Sequence, residues 1–170
     1  LDMAMFQAIS STARSLATNT KVRAVVLHGD GPAFCSGLDV KSMFQNGPMQ
    51  NTEKLLERPE GEKANLAQDV SMAWREIPAP VICSLHGMAY GGGLQIALGA
   101  DVRIATPSCK LSIMESKWGL IPDMSITQTL RDLIPMDVAK ELTFTGRVLS
   151  GAEAKELGLV TQVADDPYAK

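Results

Sequence analysis

The sequence has few of the residues that build disulfide frameworks or nucleic-acid-binding surfaces. Its three cysteines, Cys35, Cys83 and Cys109, are odd in number and unevenly spaced, which argues against a disulfide framework and against a metal site. The formal net charge is −3 and no basic run occurs, so electrostatic attraction to nucleic-acid phosphates is not expected. We therefore expect neither a metal ion nor a nucleic-acid partner.

Long apolar runs are absent as well. No stretch approaches the ~18 consecutive apolar residues of a membrane span, and no basic-then-apolar leader opens the sequence. Hydrophobic residues make up 45% of the 170 residues and charged residues 21%, which is typical of a globular domain that buries a sizeable core. These observations predict a cytoplasmic enzyme domain without a membrane partner.

Glycine is present where an apolar segment changes direction. Residues 81–85 have the pattern of a strand, and the glycine-rich residues 86–93 follow. Residues 94–98 then have an apolar helical pattern. Glycine lets the backbone adopt positive φ and approach a ligand closely, and the first N–H groups of a helix have no partner within it. Such a turn favours an anion or a polarised carbonyl oxygen.

An upstream segment has the same design. The strand-like residues 22–28 lead into a glycine-containing loop over residues 29–39. Two turns that each present backbone N–H groups can bind one oxygen atom together. The sequence therefore predicts a paired-amide binding site.

Several motifs, taken in order, resemble the crotonase (enoyl-CoA hydratase/isomerase) superfamily, whose members bind acyl-CoA thioesters and stabilise the enolate formed from them. Glycine turns in an unrelated α/β domain are the alternative, which ordered motifs at family-like spacing strongly disfavour. The resemblance implies an α/β fold built as a crotonase-type spiral of ββα units. The motifs lie at residues 33–39, 86–93, 100–105, 119–122 and 143–147.

The resemblance also bears on organisation. We expect residues 1–170 to form a crotonase-like core domain that lacks the N-terminal hairpin and the C-terminal helical region of similar proteins. Those proteins are homotrimers or dimers of trimers, and the same assembly is expected here. Coenzyme A enters as part of the acyl-CoA substrate, and no separate cofactor is implied.

Alternating strand and helix patterns indicate βαβ units and a mostly parallel sheet. Breakers and charges over residues 46–63 predict a surface loop, for which a solvated linker is favoured over a substrate lid. Ser150 and Glu153 form a capping-box pattern that opens a short helix. The other expected helices cover residues 2–16, 39–44, 64–77, 94–99, 123–133 and 137–143, and the expected strands cover residues 22–28, 81–85, 102–105, 110–114 and 159–163.

Two backbone amides carry the binding role that the resemblance implies. In the family, the thioester oxygen accepts hydrogen bonds from the amide after the first loop's glycine and from the middle glycine of the triplet, which here are Leu38 and Gly92. Such donors stabilise the enolate more than the ground-state carbonyl. The interpretation of Leu38 as a core side chain is compatible with this role, since only its N–H is used.

The resemblance also implies a binding region for coenzyme A. The backbone around Ala33, Phe34 and Ser36 is expected to line the adenine-side pocket. Lys41 is expected to lie near the CoA phosphates. An ordinary solvated helix lysine is an equally good interpretation of Lys41.

Family hydratases use two glutamates to activate water and protonate the α-carbon, and Gln95 and Glu115 occupy those positions here. An amide cannot act as a general base, so the two-carboxylate hydratase mechanism is compromised. Simple enoyl-CoA isomerases of the family rely on one glutamate at the position of Glu115. A surface acid at a strand end is the alternative interpretation of Glu115.

Asp123 matches the second catalytic carboxylate of dienoyl-CoA isomerases. Two carboxylates on opposite sides of an acyl chain can remove a proton at one carbon and return one at another. The competing interpretation makes Asp123 the cap of a helix that begins at Met124. Two departures weaken the dienoyl isomerase match, because Gln95 replaces the usual acid and Ile126 stands where many relatives have glycine.

We predict an acyl-CoA enzyme that shifts a double bond, with Glu115 as the principal acid/base and Asp123 as its partner. His28 and His86 are interpreted as structural, and Cys35 as a small apolar residue rather than a nucleophile. An enoyl-CoA hydratase is the first alternative. A non-catalytic acyl-CoA-binding or RNA-binding family member is the second, which the acidic charge balance and the presence of Glu115 disfavour.

Overall fold

The strands of this chain form two small sheets. The computed structural model describes residues 1–44 and 53–169. The first sheet has the order β1-β2-β4-β7, and the second has the order β3-β5-β6. All pairings between these strands are parallel except that of β5 with β6. The strands are β1 (Val25–His28), β2 (Val81–Leu85), β3 (Met88–Tyr90), β4 (Val102–Ala105), β5 (Lys110–Ser112), β6 (Leu149–Ser150) and β7 (Gln162–Val163).

Short helices connect the strands and cover the sheets. Within the described part of the chain, no helix is both long and apolar enough to cross a membrane. Two 3₁₀ segments, Ala73–Glu76 and Glu115–Trp118, also occur. The α-helices are α1 (Met3–Ala17), α2 (Val40–Phe44), α3 (Leu66–Met72), α4 (Gly92–Ala97), α5 (Ile126–Leu130), α6 (Met136–Thr145) and α7 (Gly151–Glu156).

Polar side chains cap several of these helices, among them α1 and α7. The Asp2 carboxylate accepts a hydrogen bond from the Met5 N–H at the start of α1, at 2.8 Å. The predicted capping pattern at α7 is half present, because Ser150 Oγ accepts from the Glu153 N–H at 3.1 Å. The Glu153 carboxylate instead forms an ion pair with Arg147. Both caps satisfy N–H groups that have no partner within the helix.

The chain passes repeatedly from the first sheet to the second and then into a helix. From β1 it reaches Cys35, which forms an isolated parallel bridge with Ala89 of β3, and it then enters α2. The next two turns of the path are β2-β3-α4 and β4-β5 followed by the Glu115–Trp118 segment. This is the repeating ββα path expected of the spiral.

The strand register of the second sheet aligns three consecutive turns of the spiral path with one another. Cys35 lies beside Ala89, and Ala89 lies beside Leu111 of β5, all in parallel orientation. The carboxyl ends of neighbouring parallel segments lie at one edge of a sheet. The segments that follow Cys35, β3 and β5 therefore leave the second sheet at the same edge.

One cluster of buried apolar side chains joins both sheets to the helices. Arg103 on β4 is also buried and lies against this core. Its Nε donates to the Leu159 carbonyl at 2.8 Å and its Nη1 donates to the Ala100 carbonyl at 2.6 Å. These bonds tie β4 to the segment that leads into β7. The cluster includes Leu85, Leu94, Leu111, Ile113, Leu142 and Leu149.

The structure confirms the α/β class and the mostly parallel pairing, and it corrects several boundaries. The helix predicted over residues 64–77 is α3 followed by a 3₁₀ segment. The helix predicted over residues 123–133 is only α5, because Ser125 lies before it with a left-handed φ of 67°. The short strands β3 and β6 are not predicted by the sequence pattern. Of the predicted surface loop, residues 46–52 lie outside the described residues, and residues 53–56 are helical rather than irregular.

We expect Gly93→Ala to destabilise the fold. A Cβ at Gly93 would lie 2.6 Å from the Cys35 Cβ and 2.8 Å from the Cys35 carbonyl oxygen, so the two loops would have to separate. The free energy of unfolding should fall by about 1–3 kcal/mol in a denaturant titration. The control Thr12→Ser, at an exposed position of α1, should stay within ~0.5 kcal/mol of wild type. A Gly93→Ala protein as stable as this control would contradict the packing.

Candidate functional site

The two glycine-containing loops lie side by side. The Cys35 N–H donates to the Met88 carbonyl at 3.0 Å, and the Tyr90 N–H donates to the Cys35 carbonyl at 3.0 Å. Gly37 has a φ of 101°, and a Cβ there would lie 3.2 Å from the Tyr90 carbonyl oxygen. Glycine at this position therefore meets both a conformational and a steric requirement. The predicted pairing of the two loops is present.

The amides of Leu38 and Gly92 follow directly from these loops. In the described part of the chain, neither N–H donates to a protein acceptor. Gly92 is the first residue of α4, where an N–H has no acceptor within the helix. Binding of an external oxygen by these two N–H groups stays a prediction, with which the lack of an acceptor in the described residues is compatible.

Glu115 lies against the second loop. It opens the 3₁₀ segment that follows β5, and its Oε1 lies 3.1 Å from the position that a Cβ on Gly91 would occupy. Its Oε2 is buried and has no hydrogen-bond partner among the described residues. The alternative interpretation of Glu115 as a surface acid is therefore wrong, since the carboxylate points into the protein beside the loop that carries Gly92.

The pKa of Glu115 is raised above its ordinary value. Burial is the largest cause, since it disfavours the charged carboxylate, and the negative charge of Asp123 raises the pKa further. The hydrogen bond from Gln95 acts in the opposite direction, because it stabilises the carboxylate. Elevated carboxyl pKa values of this origin are typical of proton-transfer groups.

Gln95 is buried at 1% exposure and contacts Glu115 directly. Its Nε2 donates to Glu115 Oε1 at 2.6 Å, and its Oε1 accepts from the Met124 N–H at 3.0 Å. The sequence pattern identifies Gln95 only as the position where an acid is missing. It does not show that the amide links Glu115 to the segment that carries Asp123.

Asp123 is exposed and precedes Met124 in an irregular segment. The helix-cap interpretation is wrong, because α5 begins three positions later, its N-cap is Ser125, and no side chain caps it. Asp123 instead lines an open cavity of about 840 Å³ together with Arg75 and Ser125. The negative charge of Asp123 acts on Glu115 through space and raises its pKa, but Glu115 does not line that cavity.

The predicted CoA-binding residues lie on or just after the first loop. Ala33 and Phe34 are half-buried, whereas Ser36 is exposed, and Lys41 is exposed on α2. The Phe34 N–H donates to the His86 carbonyl at 3.0 Å, which holds this loop to the end of β2. Contact of these residues with coenzyme A stays a prediction.

His86 has hydrogen-bonding partners for both ring nitrogens. Its Nε2 lies 2.9 Å from the Gly31 carbonyl oxygen, and its Nδ1 lies 3.1 Å from the Tyr168 hydroxyl. The ring of His28 packs edge-on against Tyr168, with centroids 5.5 Å apart. These contacts agree with the structural interpretation of both histidines.

Known proteins resemble this chain over nearly all of its length. The family model for enoyl-CoA hydratase/isomerase matches residues 1–167. Mitochondrial methylglutaconyl-CoA hydratase of Mus musculus is 34% identical over 95% of this chain and 49% of its own length. The putative enoyl-CoA hydratase/isomerase YngF of Bacillus subtilis is 37% identical over 96% of this chain and 60% of its own.

A solved structure shares the same fold. The crystal structure of an enoyl-CoA hydratase from Mycobacterium smegmatis superposes with a TM-score of 0.84 at 33% identity, covering 99% of this chain and 62% of that one. The chain thus spans about half to three-fifths of the length of the relatives described here. The sequence motifs, the ββα path and these matches together show that the chain belongs to the enoyl-CoA hydratase/isomerase family and has the crotonase fold.

Proposed function

We propose that the protein of which this chain is part acts on acyl-CoA thioesters and moves a carbon–carbon double bond, with Glu115 as the proton carrier. The observation that carries this proposal is the buried Oε2 of Glu115, which has no hydrogen-bond partner in the described part of the chain, with an amide at position 95 in place of a second acid. One carboxylate beside two free N–H donors suits proton removal and return. It does not supply the second acid of a two-glutamate hydration.

The proposed chemistry begins with binding of the thioester oxygen by the N–H groups of Leu38 and Gly92. The Glu115 carboxylate then takes a proton from an acidic carbon of the acyl chain, and the electron pair moves onto the thioester oxygen as an enolate. The two donors stabilise this charge more than the neutral carbonyl. Return of the proton at a different carbon completes the shift of the double bond.

The electrostatics of Glu115 suit both halves of this cycle. A carboxyl pKa that is raised towards the operating pH makes the ionised group a stronger base. The protonated group can still return its proton at that pH. Asp123 supports this elevation through its negative charge. We assign Asp123 the role of second proton carrier, on the side of the open cavity that it lines.

Hydration of an enoyl-CoA is the second candidate. The name of the mouse relative, methylglutaconyl-CoA hydratase, favours it, and the family model covers both reaction types. Hydration here would require Glu115 and Asp123 to activate water and protonate carbon without an acid at position 95. The two reactions give products of different mass.

The acyl-CoA partner and the oligomer are also part of the proposal. Around the first loop, where a nucleotide-containing ligand could approach, Ser36 and Lys41 are exposed and Ala33 and Phe34 are half-buried. The predicted homotrimer or dimer of trimers is supported by an exposed apolar surface next to Glu115. Contiguous surfaces of this kind often mark protein interfaces. The surface comprises Trp118, Leu120 and Ile121, which are 74%, 58% and 80% exposed.

Glu115→Gln should abolish most double-bond migration. The amide keeps the shape of the side chain but cannot take a proton, so turnover should fall by about 10²–10⁴-fold. The rate is measured with the full-length protein and its best acyl-CoA, with thermal unfolding to verify the fold. Hydration of a 2-enoyl-CoA that survives this substitution would contradict the proposal.

Gly92→Pro should lower turnover because it deletes one proposed donor. Proline is tolerated at the first position of a helix, and the expected loss is on the order of 10²–10³-fold. Gly92→Ala is the matched control, since it keeps the N–H while placing the same Cβ near the Met124 sulfur, 2.7 Å away. If both variants fold and lose the same activity, the loss is steric and the amide has no catalytic role.

Asp123→Asn should change chemistry but not stability. Removing the negative charge lowers the pKa of Glu115, so the acid limb of the pH–rate profile should move to lower pH. Loss of the second proton carrier should also reduce isomerisation by about 10²-fold. The free energy of unfolding should stay within ~0.5 kcal/mol, because Asp123 caps no helix. Unchanged isomerisation at all pH values would remove Asp123 from the mechanism.

A further inference from the structure

The amide of Gln95 has only one orientation that satisfies its neighbours. The Met124 N–H is a donor, so it must face the Gln95 oxygen, and the 3.0 Å contact joins those two atoms. The Gln95 NH₂ group therefore faces Glu115, 2.6 Å from its Oε1. The backbone of Met124 fixes which end of the amide meets the carboxyl group.

This orientation makes the two oxygens of Glu115 unequal. Oε1 accepts a hydrogen bond from Gln95 whether Glu115 is ionised or protonated on the other oxygen. Oε2 is buried and has no partner in the described part of the chain. A proton on Oε1 would compete with the Gln95 donor, whereas a proton on Oε2 displaces nothing.

We propose that Gln95 is a positioning residue that clamps Glu115 through Oε1 and so confines proton transfer to Oε2. This inference rests on the proposed function of Glu115 as the proton carrier. Gln95 acts through Glu115 and takes no proton itself. Met124 also packs against the second loop, since a Cβ added at Gly92 would lie only 2.7 Å from the Met124 sulfur.

An amide serves this purpose better than the acid it replaces. Two carboxyl groups at 2.6 Å would present only acceptors when ionised, so they would have to share a proton and titrate as a coupled pair. With Gln95, Glu115 gains and loses its proton independently of position 95. Asp123 is the other charged group identified as acting on Glu115.

Gln95→Met in the full-length protein tests the clamp, because methionine is similar in length and lacks the donor. Infrared titration of the Glu115 carboxyl, assigned by difference from Glu115→Gln, needs no substrate. Loss of a donor to the carboxylate raises the pKa of Glu115, so its protonated band should persist to higher pH. The acid limb of the pH profile of kcat should also move to higher pH. At pH values on the acid side of this limb, kcat should fall about tenfold. KM should stay unchanged.

Gln162→Met, on an exposed position of β7, is the matched control and should titrate as wild type. A Gln95→Met titration that superimposes on wild type overturns the inference. If Gln95→Met does not fold, Gln95→Glu decides instead, since it should convert the single titration into two coupled steps. A single unshifted step in Gln95→Glu also overturns the inference.

The infrared result is independent of turnover. A shifted titration without double-bond migration of any acyl-CoA would retain the clamp on Glu115 and reject the proposed function. An unshifted titration with efficient migration that depends on Glu115 would retain the proposed function and reject the clamp.

Discussion

The parallel alignment of Cys35, β3 and β5 sets where three candidate groups, those of Leu38, Gly92 and Glu115, follow the second sheet. Because these three segments run in the same direction and in register, the backbone that follows each one leaves the second sheet at the same edge. Leu38 follows the first segment, Gly92 the second and Glu115 the third. The backbone pairing thus directs these three candidate groups to the same edge, and the close contact of Gly93 with Cys35 sets how near the first two loops lie.

This arrangement places Glu115 where its ionised form is disfavoured. Its carboxylate is buried beside a backbone loop and beside a second acid, and both effects disfavour its ionised form. Hydrogen bonds from the local backbone and from Gln95 partly offset them, and Oε2 has no partner among the described residues. Unpartnered buried polar atoms are uncommon in folded proteins and often coincide with a functional role. The carboxyl group of Glu115, just after β5, is therefore held in an environment that disfavours its charge.

The sequence predicts the class of fold from its alternating strand and helix patterns, and it predicts the main site positions from its resemblance to the crotonase superfamily. Leu38, Gly92 and Glu115 could be named as candidates before the structure, because they stand at motif positions of that superfamily, and their roles stay predictions. The role of Gln95 could not, because a contact across twenty positions of sequence depends on the register of β3 with β5. The start of α5 could not be predicted either. Ser125 adopts a left-handed backbone conformation there, which a sequence pattern indicates only when the residue is glycine. Strands as short as β6 carry too few residues for an alternating pattern to appear.

Identification of the product is the most direct test of the central claim that this site moves a proton between carbons. The full-length wild-type protein is incubated with 2-enoyl-, 3-enoyl- and 3,5-dienoyl-CoA thioesters, and the products are followed by mass and ultraviolet absorbance. Double-bond migration leaves the mass unchanged and alters the absorbance, which is the predicted result for at least one unsaturated thioester. A product that gains the mass of one water as the main outcome, with no migrated isomer from any substrate, would contradict the account.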